Sequence, residues 1–72
     1  MANKYLVPYG YKDGHHHLRE EYKGYMNEVA NNGDGTYSIP SIMDPADDAI
    51  FYAKDDPTVF MYGKSTGKWY KQ

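Results

Sequence analysis

A shortage of aliphatic side chains, made good by tyrosine, limits what this chain can fold into. Leu, Ile, Val and Phe together number 10 of 72 residues, a level at which disorder is suspected when net charge is also high. The formal charge here is only −2. Nine Tyr, the single Trp69 and two Phe supply the missing apolar surface. Tyrosine buries a large ring while its hydroxyl stays wet, so it suits half-buried sheets and protein interfaces. The length allows one small domain, residues 1–72, with 1–12 as an extended N-terminal arm, and excludes a two-domain enzyme. One core of this size supplies only about 3–5 kcal/mol. No cysteine is present, so no disulfide adds to it, and thiolate metal sites and Cys nucleophiles are excluded. Contact with a partner or with copies of itself is therefore expected. No stretch approaches the roughly 18 apolar residues of a membrane span, and Met1-Ala2-Asn3-Lys4 lacks a signal peptide's apolar core. A soluble protein made in a reducing compartment, or indifferent to redox state, is expected.

Charge is unevenly spread. Residues 1–33 sum to zero. Residues 34–56 set Asp34, Asp44, Asp47, Asp48, Asp55 and Asp56 against Lys54, for −5, and residues 57–72 carry Lys64, Lys68 and Lys71 without an acid, for +3. Such a dipolar chain can dock on copies of itself or on a mixed surface. Acids in solvated turns explain the same pattern. Strong nonspecific nucleic-acid binding is disfavoured, because it needs a positive footprint.

Tyr5-Leu6-Val7-Pro8-Tyr9-Gly10-Tyr11 reads as an extended arm that Pro8 restricts to an edge strand or an unpaired segment. Residues 4–11 are expected to lie against a neighbouring protein or to close the domain's own sheet edge. Asp13-Gly14 signals a turn. Leu18, Tyr22, Tyr25, Met26 and Val29 then fall on a helical stripe, which predicts a helix over about 16–31. Asn31-Asn32-Gly33 is a suitable stop, while Gly24 in its middle costs about 1 kcal/mol relative to Ala. Thr36–Ile39 reads as a short strand ended by Pro40. Asp44-Pro45 with Asp47-Asp48 resembles a helix start, yet Ala49–Ala53 is rich in strand formers, so 45–48 is taken as a turn. Strands over about 49–54, 58–63 and 68–71 then form an antiparallel meander, joined by Asp55-Asp56-Pro57 and by Ser65-Thr66-Gly67. The expected fold class is α+β, one helix packed on this small meander, with all-β as the alternative. The first two meander strands are apolar on both faces, which suggests the helix on one side and a partner on the other.

Phe51 and Tyr52, a turn, Phe60 and Tyr62, a polar loop with Gly67, and Trp69 give Ala49–Gln72 a pattern that resembles small β-meanders of bacteriophage virion proteins. These occur in tail, fibre and head-associated components. The resemblance covers 24 of 72 residues and implies a structural role with no catalytic residue.

Several features point toward chemistry. Gly63-Lys64-Ser65 looks like the end of a phosphate-binding loop, but Thr58 stands where the first glycine belongs, and no helix can follow before Gln72. His15-His16-His17 invites a metal reading, yet no further His exists to complete a converging set. The same cluster at an interface would weaken it in acid. Asn31–Gly35 fails the calcium-loop spacing in either register. The acidic pairs Asp47-Asp48 and Asp55-Asp56 sit beside prolines in turns, without the enclosed pocket that acid–base catalysis needs. Lys64, Lys68 and Lys71 interleaved with Trp69 and Tyr70 are the best nucleic-acid candidate, since a single-strand platform sets bases on aromatic rings.

The sequence thus points to a non-enzymatic structural or binding module without cofactor or metal, most readily a bacteriophage virion accessory protein. Its partner would be a larger virion protein in repeating copies, with self-association as an addition and no membrane. The partner-binding candidates are Tyr5, Leu6, Tyr9, Tyr11, Tyr52, Phe60, Tyr62 and Trp69. The alternatives are an acidic inhibitor of an enzyme in the host cytoplasm and a single-stranded nucleic-acid binder.

Overall fold

The computed structural model describes residues 3–12 and 15–72; the side chains of residues 8–17 lie outside what is described. One mixed sheet of seven strands accounts for the architecture, in the order β1-β2-β5-β6-β7-β4-β3. The strands are β1 Asn3–Lys12, β2 His15–Gly24, β3 Ala30–Asn31, β4 Tyr37–Ser38, β5 Ile50–Ala53, β6 Val59–Gly63 and β7 Lys68–Lys71, with a 3-10 turn at Met26–Glu28.

The helix expected over 16–31 is absent, which corrects the α+β expectation; the all-β alternative fits. Leu18 and Tyr22, four residues apart, satisfy a strand's period of two as well as a helix's, so the apparent stripe does not separate the two. Glu20 and Glu21, which interrupt the apolar alternation, each have a cationic partner. Lys4 lies 3.2 Å from Glu20 and Arg19 lies 3.0 Å from Glu21. Past Gly24 the stripe continues on the 3-10 turn and its flanks, where Met26 and Val29 pack against the core.

β1 and β2 pair antiparallel, with Tyr5 opposite Glu21, Leu6 opposite Glu20 and a register shift between Pro8 and Gly10. The N-terminal arm thus closes the domain's own sheet edge, where a proline is tolerated. β2 joins the rest of the sheet through a parallel ladder with β5 that runs only from Glu21–Gly24 to Ile50–Ala53. His15–Glu20 and their partners on β1 extend past that ladder as a two-stranded ribbon. β5, β6 and β7 form the antiparallel meander, with Phe51 opposite Phe60 and Tyr62 opposite Trp69.

Where the helix was expected, the 39–49 connection crosses the sheet from β4 back to β5. Its Ile39, Ile42 and Ala49 pack with Tyr22, Phe51, Phe60 and Trp69 into one buried cluster. The rings meet edge-on or tilted, with Phe51 and Trp69 6.4 Å apart and Tyr62 and Trp69 5.1 Å apart, arrangements that aromatic quadrupoles favour. Glu20 fastens the β1–β2 hairpin to the crossing segment. Its Oε1 accepts hydrogen bonds from the Tyr22 hydroxyl at 2.7 Å and the Ala46 N–H at 3.0 Å. Burial pushes the Glu20 carboxyl up, but those two bonds and Lys4 outweigh it and hold the group below its ordinary range. Burial, with Glu20 beside it, pushes the Tyr22 hydroxyl up to about 12.

Candidate functional site: the open face of the sheet

Alternation along each strand sends half of the sheet's side chains away from the core. Tyr5, Glu21, Ile50, Met61 and Tyr70 are successive partners on β1, β2, β5, β6 and β7, so they form a row across five strands. Lys23, Tyr52 and Val59 make a second row beside it. Ile50 is only 5% exposed yet stands outside the core cluster, because it points to this second face and is enclosed by its neighbours there. Val59, Met61 and Tyr52 are half-buried, while Tyr5 and Tyr70 are 44% and 36% exposed. The 39–49 crossing covers the opposite face.

The charged groups of this face are matched at its β1–β2 end. Arg19 bonds Glu21, and the Lys23 ammonium stands 4.8 Å from the Tyr5 ring centroid, a cation–π contact. The remainder, Ile50, Tyr52, Val59, Met61 and Tyr70, is an apolar and aromatic patch, with Lys68 beside Tyr70 on β7 as the charge at its rim. Such a surface suits a protein partner.

The sequence candidates divide between the two faces. Tyr5 and Tyr52 lie on the open face. Leu6 is 57% exposed on the core-side face of the hairpin, close to Leu18 at 52%. Phe60 and Trp69, 0% and 3% exposed, belong to the core, and Tyr62 packs against it. Trp69 therefore offers no ring face for a base to stack on. Tyr9 and Tyr11 lie on β1 with side chains outside the described residues, as do those of His15, His16 and His17, and the Asp13-Gly14 turn is itself undescribed. Val59 and Met61 are not among the sequence candidates, and Tyr70 is one only for nucleic-acid stacking. Their signal is cross-strand register, Val59 with Tyr52 and Met61 with Ile50 and Tyr70, which turn type and loop length fix together.

On the core side a shallow groove of about 240 Å³ opens between Pro40, Asp44 and Pro45 of the crossing segment and Tyr62, Gly67 and Trp69. It is smaller than the clefts of about 300–1,000 Å³ that enclose small molecules. Asp34, Asp47, Asp55 and Asp56 accept hydrogen bonds from Thr36, Lys64 N–H, Met26 N–H and Thr58, so these acids brace loops. Among the described residues no three His, Asp or Glu side chains converge as a metal site, and no helix is long and apolar enough to cross a membrane. Compared with protein-family models, curated protein sequences and solved structures, the chain matches none.

Proposed function

We propose that this chain is a non-enzymatic binding module of a bacteriophage particle, seated through its open sheet face on a larger virion protein present in repeating copies. The observation that carries the reading is the row Ile50, Met61 and Tyr70, flanked by Tyr52 and Val59, on the face left open by the 39–49 crossing. A sheet whose two faces are both apolar is ordinarily covered on both. The resemblance of residues 49–72 to Tyr-rich virion meanders supplies the class of partner. A small, reversible contact on each of many identical subunits gains by multivalency what one copy lacks.

The test follows the chain through a density gradient of phage particles from its source lysate, detected by antibody. Wild type should sediment with the particles at constant stoichiometry. Met61→Glu and Tyr70→Ala should remain at the top while keeping the wild-type fluorescence of buried Trp69. Wild type remaining with the soluble protein, or Met61→Glu sedimenting as wild type does, refutes the reading.

A further inference from the structure

We propose that two copies of this chain pair antiparallel along β1, about a two-fold axis at Leu6, joining their sheets into one of fourteen strands. β1 ends the sheet on its side and pairs only with β2. Six large hydrophobic side chains stand exposed among the described residues, and Tyr5, Leu6 and Leu18 of this hairpin are three of them. An exposed edge strand is a template for another strand, and proteins usually guard it with charge, proline or a bulge. Here the guards are misplaced for the Lys4–Val7 stretch. Lys4 is matched within its own chain by Glu20 at 3.2 Å. Pro8 and the register shift between Pro8 and Gly10 lie beyond that stretch and end the ladder rather than block it.

The residue pattern selects the second copy and its register. In antiparallel pairing with continuous faces, directly opposed residues share a face, so the axis passes through a single position. With the axis at Leu6, Leu6 meets Leu6 of the second copy, Tyr5 meets Val7 in both directions, and Lys4 meets Pro8. Every pair from Tyr5 to Val7 is apolar, and no like charges oppose. Leu18, opposite Pro8 on β2, adds a second leucine from each copy on the same face. With the axis at Tyr5, Lys4 would lie against Leu6 and Asn3 against Val7, which wastes the apolar positions. Five residue pairs make a short interface, below the roughly 1,200 Å² of stable complexes. The dimer therefore exchanges with monomer in the micromolar range. Pairing makes the two open faces continuous, but it stands independently of any virion partner.

The chain contains no cysteine, so single-cysteine variants of the full chain each report one contact. Directly opposed positions have Cα atoms about 4.5–5.5 Å apart, within disulfide reach, whereas a two-residue offset places them about 7–8 Å apart, beyond it. Under mild oxidation Leu6→Cys should form a reducible covalent dimer several-fold faster than Tyr5→Cys. In sedimentation, wild type should rise from the mass of one chain toward two with concentration. Leu6→Asp should stay monomeric with unchanged Trp69 fluorescence. Wild type that stays monomeric up to high micromolar concentration overturns the proposal. So does equal or faster cross-linking through Tyr5→Cys, which would mean random collision or another register.

Discussion

Replacing Gly24 by alanine decides between the helical and the strand reading of the first half of the chain. In a helix interior, Gly→Ala stabilises by about 1 kcal/mol. In the structure Gly24 ends β2, and a Cβ there would overlap Glu28 Oε2 and come within 3.0 Å of the Phe51 ring. Phe51 is fully buried and cannot retreat. The Glu28 carboxylate must swing away, yet it holds the 3-10 turn. Its Oε2 accepts the Tyr25 N–H at 2.8 Å and its Oε1 accepts the Ser41 hydroxyl at 2.9 Å. Two such bonds contribute about 0.5–1.5 kcal/mol each. The reduced freedom of the unfolded alanine chain returns about 0.4–1 kcal/mol. Gly24→Ala should therefore destabilise by about 1–2 kcal/mol, opposite in sign to the helical expectation. Urea unfolding followed by the fluorescence of Trp69, 3% exposed in the core, measures the difference. In a Glu28→Ala background the penalty should shrink to what the Phe51 contact alone imposes, and the double-mutant cycle isolates the Glu28 share. A stabilised Gly24→Ala protein, or a penalty undiminished without Glu28, refutes the reasoning.

Two further outcomes follow from the loops and the acids. Glu20 and Glu28 both have folded-state values held below the ordinary 4.5, Glu28 chiefly by the Tyr25 N–H. Their contribution is full above the unfolded value and is lost as pH falls through the lower folded values, so unfolding midpoints should drop on acidification below about pH 4.5. The combined Glu20→Gln and Glu28→Gln variant should show a shallower drop, and an unchanged slope counts against the hydrogen bonds described. Asp48 has φ of 62°, a left-handed conformation that Asp tolerates and alanine does not. Asp48→Ala should lose about 0.5–1 kcal/mol while Asp48→Gly loses none, as compared by thermal unfolding.

The strands of the C-terminal third were legible because their turns have distinct chemistry. Asp55-Asp56-Pro57 and Ser65-Thr66-Gly67 bracket runs of β-branched and aromatic residues, and Gly67 takes the φ of 68° that favours glycine. For the β1–β2 hairpin the sequence carries an equally good cue in Asp13-Gly14, a dipeptide that hairpin turns prefer. The i, i+4 coincidence of Leu18 and Tyr22 overrode it. Glu20 shares a face with Tyr22, where a carboxylate is out of place on a half-buried strand, yet it is the acceptor that ties Tyr22, Lys4 and Ala46 together. A polar residue on an apolar face is a fault only when its partners are unknown, and two of these three lie 16 and 26 residues away in the chain.

The binding surface was harder to see than the fold, for a related reason. Phe60 and Met61 are adjacent apolar residues on one strand, and nothing local says which of them meets the core. That is decided by which face the 39–49 segment crosses, and its anchors Ile39, Ile42 and Ala49 stand in turns and irregular chain, with no strand or helix whose period would mark the face they meet. Once that segment lies over Phe60, Met61 is left open together with its cross-strand partners Ile50 and Tyr70. In a chain so poor in aliphatics, covering one face uses most of the residues able to do it. The second face and the β1 edge then remain as apolar surface, and these are the two surfaces on which the proposed contacts are placed.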